Sequence, residues 1–159
     1  MTGEPGTETF AGRVIVTDAG FRSAEENAAF LSLPDLPALP ARAESGADAP
    51  LCLDTVCVDL GPDDDPEALR PWLRHLALVR IRFPVFSDGR GFTLARSLRR
   101  MGYGGHLRAA GHLISDQYRL ARACGFDDIE IDAALARRQP EADWHLPRGH
   151  APGYLPLLR

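Results

Sequence analysis

Apolar and polar residues alternate in two segments of the first 60 residues, and this alternation predicts two strands. Gly12–Asp18 (GRVIVTD) is β-branched and alternates weakly, and Leu51–Leu60 (LCLDTVCVDL) places valines and leucine on one face and Cys57 on the other. Between them, Ser23–Leu33 starts with an N-cap serine followed by good helix formers, which predicts a helix. The chain is therefore expected to open with a strand and a helix.

The segment from Leu76 to Asp132 switches regularly between strand and helix patterns. On each predicted helix, apolar residues recur at i, i+4 and i+7, so one apolar stripe of each helix can pack on a common sheet. Predicted strands cover residues 76–86, 106–111 and 126–132, and predicted helices cover 91–102 and 112–125. This order predicts an α/β fold of consecutive β-α units, with a mainly parallel sheet or a partial (β/α) barrel.

An internal repeat supports this architecture. Leu98–Arg108 (LRRMGYGGHLR) and Ala121–Ile131 (ARACGFDDIEI) superpose at a shift of 23 residues, and each contains a helix end, a glycine, an aromatic residue, two turn residues and a strand. The glycine of each copy is expected to cap its helix in the left-handed region, with the aromatic residue folding back on the last helical turn. The glycines are Gly102 and Gly125, and the aromatic residues are Tyr103 and Phe126.

The chain of 159 residues has the usual size of one domain. We divide it into a strand–helix segment (1–33), a proline-rich linker (34–50), a β/α core (51–138) and a C-terminal tail (139–159). Inside the core, Asp65 before Pro66 is typical of a capped helix start. The tail is too apolar for an idle extension, so we expect it to dock on its own domain or on a partner.

Composition excludes several classes of protein. The net charge is −4, and a nucleic-acid protein would normally show a basic face. The three cysteines form no C-x-x-C pair, so neither a structural zinc nor another metal site is expected. No apolar run is long enough to span a bilayer, and the first residues have no basic or apolar leader, so we expect a cytoplasmic protein with no membrane contact.

The stretch FSDGRG is predicted to join a strand to a helix on the face where parallel α/β folds bind ligands. Gly89 and Gly91 would allow close approach of a backbone, and Arg90 would add a guanidinium suited to an oxyanion. Asp88 would repel an anion, so we expect it to cap the helix or to orient an arginine. A second arginine, Arg96, follows on the helix.

The next loop, AAGHLISD, has the corresponding position one unit later. Gly111 and His112 would stand at the next helix start, where the dipole would disfavour a charged imidazole, and Arg108 lies on the strand before them. His112 and Asp116 are the candidates for acid–base catalysis. The structural alternatives are an Arg90–Asp88 bridge, an ion pair of Arg108 with Asp116 or Asp128, and a merely polar first-turn role for His112.

Other chemistry has no support in the sequence. The chain contains no G-x-G-x-x-G dinucleotide fingerprint, no phosphate loop of the G-x-x-x-x-G-K-[ST] type and no G-x-S-x-G nucleophile elbow. It contains no lysine, which excludes Schiff-base catalysis by that side chain. No cofactor is therefore predicted.

The string from Phe83 to Ile131 resembles the bacterial domain-of-unknown-function family 934. Members read approximately FP-x-F-x-DGR-G-[FY]-S-x-AR-x-LR, then G-[FY]-x-GELRA-x-GD-x-L-x-DQ, then CGFD. The match is close over Leu76–Ile131 and loose over Leu51–His75. The resemblance implies a place beside sulfite reductase in bacterial sulfur assimilation, and members are described as oxidoreductases of sulfite reduction.

By position, the family motif marks ten residues of this chain, and two further positions depart from it. His106 replaces the usual acid of GELRA, and His112 replaces the aspartate of GD. If that aspartate is catalytic in the family, this member acts differently or binds a different partner; if it only caps a helix, the effect is small. The marked residues are Asp88, Gly89, Arg90, Arg96, Arg108, Gly111, Asp116, Gln117, Gly125 and Phe126.

Two hypotheses follow. The preferred one is a non-catalytic accessory protein that contacts sulfite reductase, its reductant or another sulfur-assimilation protein through the arginine-bearing loops. The alternative is a small enzyme that acts on or binds a sulfur- or phosphorus-containing oxyanion, with Arg90, Arg96 and Arg108 as binding residues. Exposed edge strands of a partial barrel would also favour a homodimer.

Overall fold

The computed structural model describes residues 12–24, 29–36 and 56–146, and these form a seven-stranded sheet. The strand order is β2-β1-β7-β6-β5-β4-β3. The strands are β1 (Arg13–Thr17), β2 (Gly20–Ser23), β3 (Phe30–Ser32), β4 (Val56–Leu60), β5 (Leu76–Phe83), β6 (His106–Gly111) and β7 (Asp128–Asp132). Strands β3 to β7 are parallel and follow each other in sequence order, and β1 pairs antiparallel with both β7 and β2.

Helices connect the neighbouring parallel strands of the second half. The helix α1 (Arg90–Arg100) joins β5 to β6, α2 (Tyr118–Cys124) joins β6 to β7, and a 3-10 helix over Pro66–Trp72 lies between β4 and β5. A third helix, α3 (Ala133–Arg138), follows β7. Because crossovers between parallel strands are right-handed, a sequential strand order puts successive helices on one face of the sheet. The predicted α/β fold with a mainly parallel sheet is confirmed, and its closure into a partial barrel stays a prediction.

One hydrophobic core lies between that face and the helices. Alternate residues of the central strands, including Val79, Ile81 and Leu107, are fully buried there, as is Leu98 of α1. Trp144 in the first part of the tail also enters this core, and the tail beyond residue 146 lies outside the described residues. In the ranges that the structure describes, no helix is long and apolar enough to cross a membrane.

The predicted elements of the second half lie close to their expected positions. Strand β6 has the predicted bounds, but α2 begins only at Tyr118 because Ser115–Gln117 forms a 3-10 turn first. At the 3-10 helix before β5, the Asp65 carboxylate accepts a hydrogen bond from the Glu67 backbone N–H at 2.9 Å, which is the predicted cap.

The helix predicted over Ser23–Leu33 is wrong at both ends. Ser23 ends β2, and Phe30–Ser32 forms β3, while residues 25–28 lie outside the described part. The local helix formers yield to strand pairing, because β2 forms a hairpin with β1 and Leu31 lies beside Val58 of β4. The predicted linker falls largely on residues 37–50, which are also outside the described part.

The internal repeat has a structural basis. Gly102 and Gly125 have φ angles of 92° and 108°, in the left-handed region as predicted. Each copy also contains an arginine that donates to the backbone carbonyl four residues later: Arg99 to Tyr103 at 2.8 Å, and Arg122 to Phe126. Arg99 additionally donates to the Gly125 carbonyl at 2.7 Å, which ties the end of α1 to the end of α2. Each of the two β/α units thus has a buried guanidinium that binds the backbone where its helix ends.

We predict that alanine substitutions at three glycines will rank by conformation and space. At Gly125 the backbone has a positive φ, and an added Cβ would lie 2.6 Å from Cγ of Arg99. At Gly102 the φ angle is also positive, but an added Cβ would meet open space. Gly104 has neither a positive φ nor a close neighbour. Because a left-handed conformation costs a non-glycine residue roughly 1–2 kcal/mol, Gly102→Ala should lose about 1 kcal/mol and Gly125→Ala more than 2 kcal/mol. Urea unfolding of the three variants measures the order, and an equal loss at Gly104 would contradict it.

Candidate functional site

The face of the sheet opposite the core carries a row of charged residues. Asp59 of β4 lies beside Arg80 of β5, Arg80 beside Arg108 of β6, and Arg108 beside Asp128 of β7. Because side chains alternate along a strand and the intervening residues enter the core, these four share one face. The sheet therefore has one apolar and one ionic face.

These residues form a network that crosses four strands. Arg80 binds Asp59 with two hydrogen bonds of 2.5 and 2.6 Å, and Arg108 binds Asp128 with two of 2.7 and 2.9 Å. Glu130 lies between the two cations, with 3.2 Å to Arg80 and 3.7 Å to Arg108. The sequence left two interpretations of Arg108, an anion-binding residue or a partner in an ion pair, and the structure shows the ion pair with Asp128. Each buried charge has an opposite charge beside it.

The network keeps the carboxylate of Asp128 ionised. Only 2% of Asp128 is exposed, and burial by itself would raise the pKa of its carboxyl. Hydrogen bonds from Arg108 and from His106, whose Nε2 is 2.8 Å away, outweigh the burial and hold the pKa below its usual value. Burial by itself would lower the pKa of Arg80, but its hydrogen bonds to Asp59 outweigh the burial and hold the pKa above its usual value.

A cavity of about 540 Å³ lies at the carboxyl ends of β5, β6 and β7, next to this network. Its lining residues include three arginines and a histidine: Arg13, Arg82, Arg138 and His112. Gly111 forms part of the rim with a φ of 124°, and a Cβ there would overlap the carbonyl oxygen of Phe83. A glycine is required because the ends of β5 and β6 approach so closely.

The first predicted loop is organised by ion pairs. Arg90 binds Asp88 at 2.7 Å and also pairs with Asp63, while the Asp88 carboxylate accepts from the Arg90 backbone N–H at 3.2 Å. Gly91 is buried against the Phe83 ring, so its missing side chain serves helix–strand packing, and the space beside Gly89 is open. The guanidinium of Arg90 therefore already has two carboxylate partners.

The remaining predicted residues do not converge on one site. Arg96 is exposed on α1 and hydrogen-bonds the sulfur of Cys124, on the helix side of the sheet, whereas Arg108 points to the ionic face. Asp116 is exposed in a 3-10 turn. His112 lines the cavity, but α2 begins six residues later, so the predicted helix dipole does not act on it. The predicted cradle of three arginines is not assembled in this structure.

The cavity arginines were missed by sequence reasoning. The signal for Arg82 was present, because Arg80 and Arg82 alternate with buried residues in LVRIRF and so indicate a polar second face. Arg13 and Arg138 reach the same cavity from opposite ends of the described chain, and no local pattern connects them. In the described ranges, no group of three His, Cys, Asp or Glu side chains could hold a metal ion.

The loop after β5 exposes two large apolar side chains, Val85 at 49% and Phe86 at 48%. Their backbone is held in place: the Gln117 side chain donates to the Phe86 carbonyl at 2.6 Å, and the Asp88 N–H donates to the Val85 carbonyl at 3.1 Å. The Phe86 ring also contacts the ring of His112 edge to face, with 5.8 Å between centroids. We call residues 84–89 the edge loop.

We predict that Asp128→Asn will destabilise the protein at neutral pH by about 3 kcal/mol, because it leaves Arg108 with a weaker buried partner. The folded-state pKa of Asp128 lies below its unfolded value of about 3.9, so its contribution is complete above that pH and is lost as the pH falls further. The stability gap between wild type and variant should therefore narrow below about pH 4. Urea unfolding across pH 3–7 measures it.

Asp63→Asn is the matched control, because Asp63 is also ion-paired with an arginine but is largely exposed. An exposed ion pair contributes at most about 1 kcal/mol. A loss at Asp63 as large as the one at Asp128, or a gap that widens in acid, would contradict the assignment of Asp128 as a buried ionised partner.

The model of one protein family matches residues 57–146, which include β5 to β7, all of β4 except its first residue, all three helices and the edge loop. Its description is "Bacterial protein of unknown function (DUF934)". No curated protein and no solved structure matches the chain. The matched region is more than half of the 159 residues, so the resemblance found in the sequence holds at the level of the family. The chain belongs to the bacterial DUF934 family of proteins of unknown function.

Proposed function

We propose that this protein is an accessory of assimilatory sulfite reduction that binds sulfite reductase or its reductant through the edge loop. The observation that carries the proposal is the pair of half-exposed apolar side chains, Val85 and Phe86, on a backbone fixed by hydrogen bonds. In the described ranges, the other large hydrophobic residue with comparable exposure is Leu120, which stands alone on α2. Adjacent exposed apolar residues are characteristic of interaction sites.

The edge loop is prepared for binding before a partner arrives. Gln117 holds the middle of the loop at the Phe86 carbonyl, and the Asp88–Arg90 pair holds its end, so little conformational entropy would be lost on association. An apolar centre with a charged rim is also the usual arrangement of a protein–protein interface, and Arg90 with Asp63 forms such a rim here.

The family motif supports the same surface. Asp88, Gly89, Arg90 and Gln117 are positions that the motif marks, and three of them hold the edge loop by direct hydrogen bonds. Association with sulfur assimilation is what the resemblance implies for members of the family, and it gives the partner's class. The mildly acidic chain, with no cofactor motif, fits an accessory role better than an independent redox enzyme.

The second hypothesis from the sequence is an enzyme that acts on an oxyanion. The arginines predicted as its binding site support it less than the edge loop supports the accessory role. Arg90 is bound to Asp88 and Asp63, and Arg108 to Asp128. An anion would have to displace these carboxylates before it could use the guanidinium groups. Of the predicted catalytic pair, His112 lines the cavity and Asp116 is not among its lining residues.

The proposal predicts that Phe86→Ser will weaken binding to sulfite reductase from the same bacterium by about 30-fold, the loss expected for an aromatic anchor at the centre of an interface. Leu120→Ser is the control, because it also replaces an exposed apolar residue but lies on α2, away from the edge loop. Co-purification followed by titration of the purified proteins measures both. The proposal fails if wild type neither binds the reductase nor changes its activity, or if both variants lose binding equally.

A deletion strain tests the pathway independently. We expect slow growth on sulfate, normal growth on cysteine, and rescue by wild type and Leu120→Ser but not by Phe86→Ser. Equal growth of the deletion strain on both sulfur sources would remove the support for a role in sulfite reduction.

A further inference from the structure

We infer that the cavity at the carboxyl ends of β5, β6 and β7 binds a small organic anion, with a phosphate or sulfonate group on an apolar body. The site adjoins the proposed partner surface at Pro84, the first residue of the edge loop, but the two exposed apolar residues Val85 and Phe86 do not line the cavity. It also differs from the oxyanion cradle predicted by sequence, because Arg90, Arg96 and Arg108 are not among its lining residues.

The two acids that line the cavity are engaged by the protein. The Glu130 carboxylate is buried and accepts from Arg13 at 2.9 Å and from Arg80 at 3.2 and 3.3 Å. The Asp132 carboxylate accepts from the Leu135 backbone N–H at 2.6 Å and so caps α3. Two arginines therefore neutralise Glu130, whereas Asp132 caps a helix and has no paired cation among the described residues.

The three arginines of the cavity retain donors for a ligand. The Arg138 side chain is exposed, and in the described part of the chain it has no carboxylate within 4.0 Å and no hydrogen bond. Arg82 is half-exposed, and its nearest carboxylate is that of Asp59 at 3.5 Å. That carboxylate is already bound by Nε and Nη2 of Arg80. Arg13 is half-exposed and uses Nη1 for Glu130. Guanidinium groups with unused donors at one cavity suit an oxyanion.

The register of the sheet explains why there is space between these groups. Arg82 lies beside Ala110, and Ala110 lies beside Glu130, so the middle strand contributes only a methyl group to this row. A larger side chain at Ala110 would fill the space between Arg82 and Glu130. The apolar residues Pro84 and Leu135 also line the cavity, which gives it an uncharged part.

The size of the cavity determines the class of anion. A volume of about 540 Å³ lies in the range of small-molecule sites. An inorganic oxyanion has the volume of about two water molecules, on the order of 60 Å³, and would leave most of the cavity unfilled. An organic phosphate or sulfonate would place its oxygens near Arg82 and Arg138 and its apolar body against Pro84 and Leu135.

The test uses phenyl phosphate and benzenesulfonate as organic anions, inorganic phosphate as the anion without a body, and phenol as the body without the anion. Calorimetric titration of the full chain at low salt measures each affinity, and thermal unfolding at 10 mM probe provides a second readout. We expect at least one organic anion to bind and to raise the Tm by about 3 °C, and we expect inorganic phosphate and phenol to bind at least tenfold more weakly. Whichever of the two organic anions binds more tightly identifies the headgroup.

Arg82→Gln and Arg138→Gln should each weaken the better probe at least tenfold. Arg100→Gln is the charge-matched control, because it removes one exposed guanidinium outside the cavity and should leave the affinity unchanged. The inference is overturned if neither organic anion binds at 10 mM, if inorganic phosphate binds as tightly as the organic anions, or if Arg100→Gln weakens binding as much as the cavity variants. Because only the purified chain is used, the result is independent of whether the edge loop binds sulfite reductase.

Discussion

The buried ion network on the ionic face is the constraint on which the rest of the sheet depends. Removing charged groups from water costs several kcal/mol for each ion, and only close opposite charges with satisfied hydrogen bonds compensate for that cost. Asp59, Arg80, Glu130, Arg108 and Asp128 meet this condition only in the observed register of β4 to β7. A slip of one residue in any of these strands would turn its charged side chains into the hydrophobic core. The network therefore specifies the alignment of the strands.

The opposite face depends on a different use of arginine. Arg99 and Arg122 occupy the same place in the two repeated units and donate to backbone carbonyls where a helix ends. The two units are also joined to other parts of the chain, since Arg122 binds Asp18 in the turn between β1 and β2 at 2.9 Å. A planar group with five donors can satisfy several carbonyls at once, which a lysine ammonium cannot do with the same geometry.

The sequence predicted those features that depend on neighbouring residues. The bounds of β6, the left-handed glycines at the two helix ends and the cap at Asp65 all follow from local patterns. The strands within Ser23–Leu33 do not follow from local patterns, because they depend on pairing with β1 and β4. A short run of helix formers cannot show which strand partner is near. The site shows the same division. Asp88 and Arg90 meet within one loop, whereas the cavity requires Arg13, Arg82 and Arg138, which only the folded sheet brings together.

The exclusive use of arginine has one further consequence, which concerns alkaline conditions. Hydrogen bonds to carboxylates raise the pKa of Arg80 and Arg108 above an ordinary value that is already strongly basic, in spite of their burial. A group with a raised pKa contributes its stabilisation fully at every pH below its unfolded pKa, so these cations remain charged across the whole range in which proteins are handled. The pKa of Asp128 is lowered, so its contribution is lost only in acid. The ion pair of Arg108 with Asp128 is thus sensitive to acid and indifferent to base.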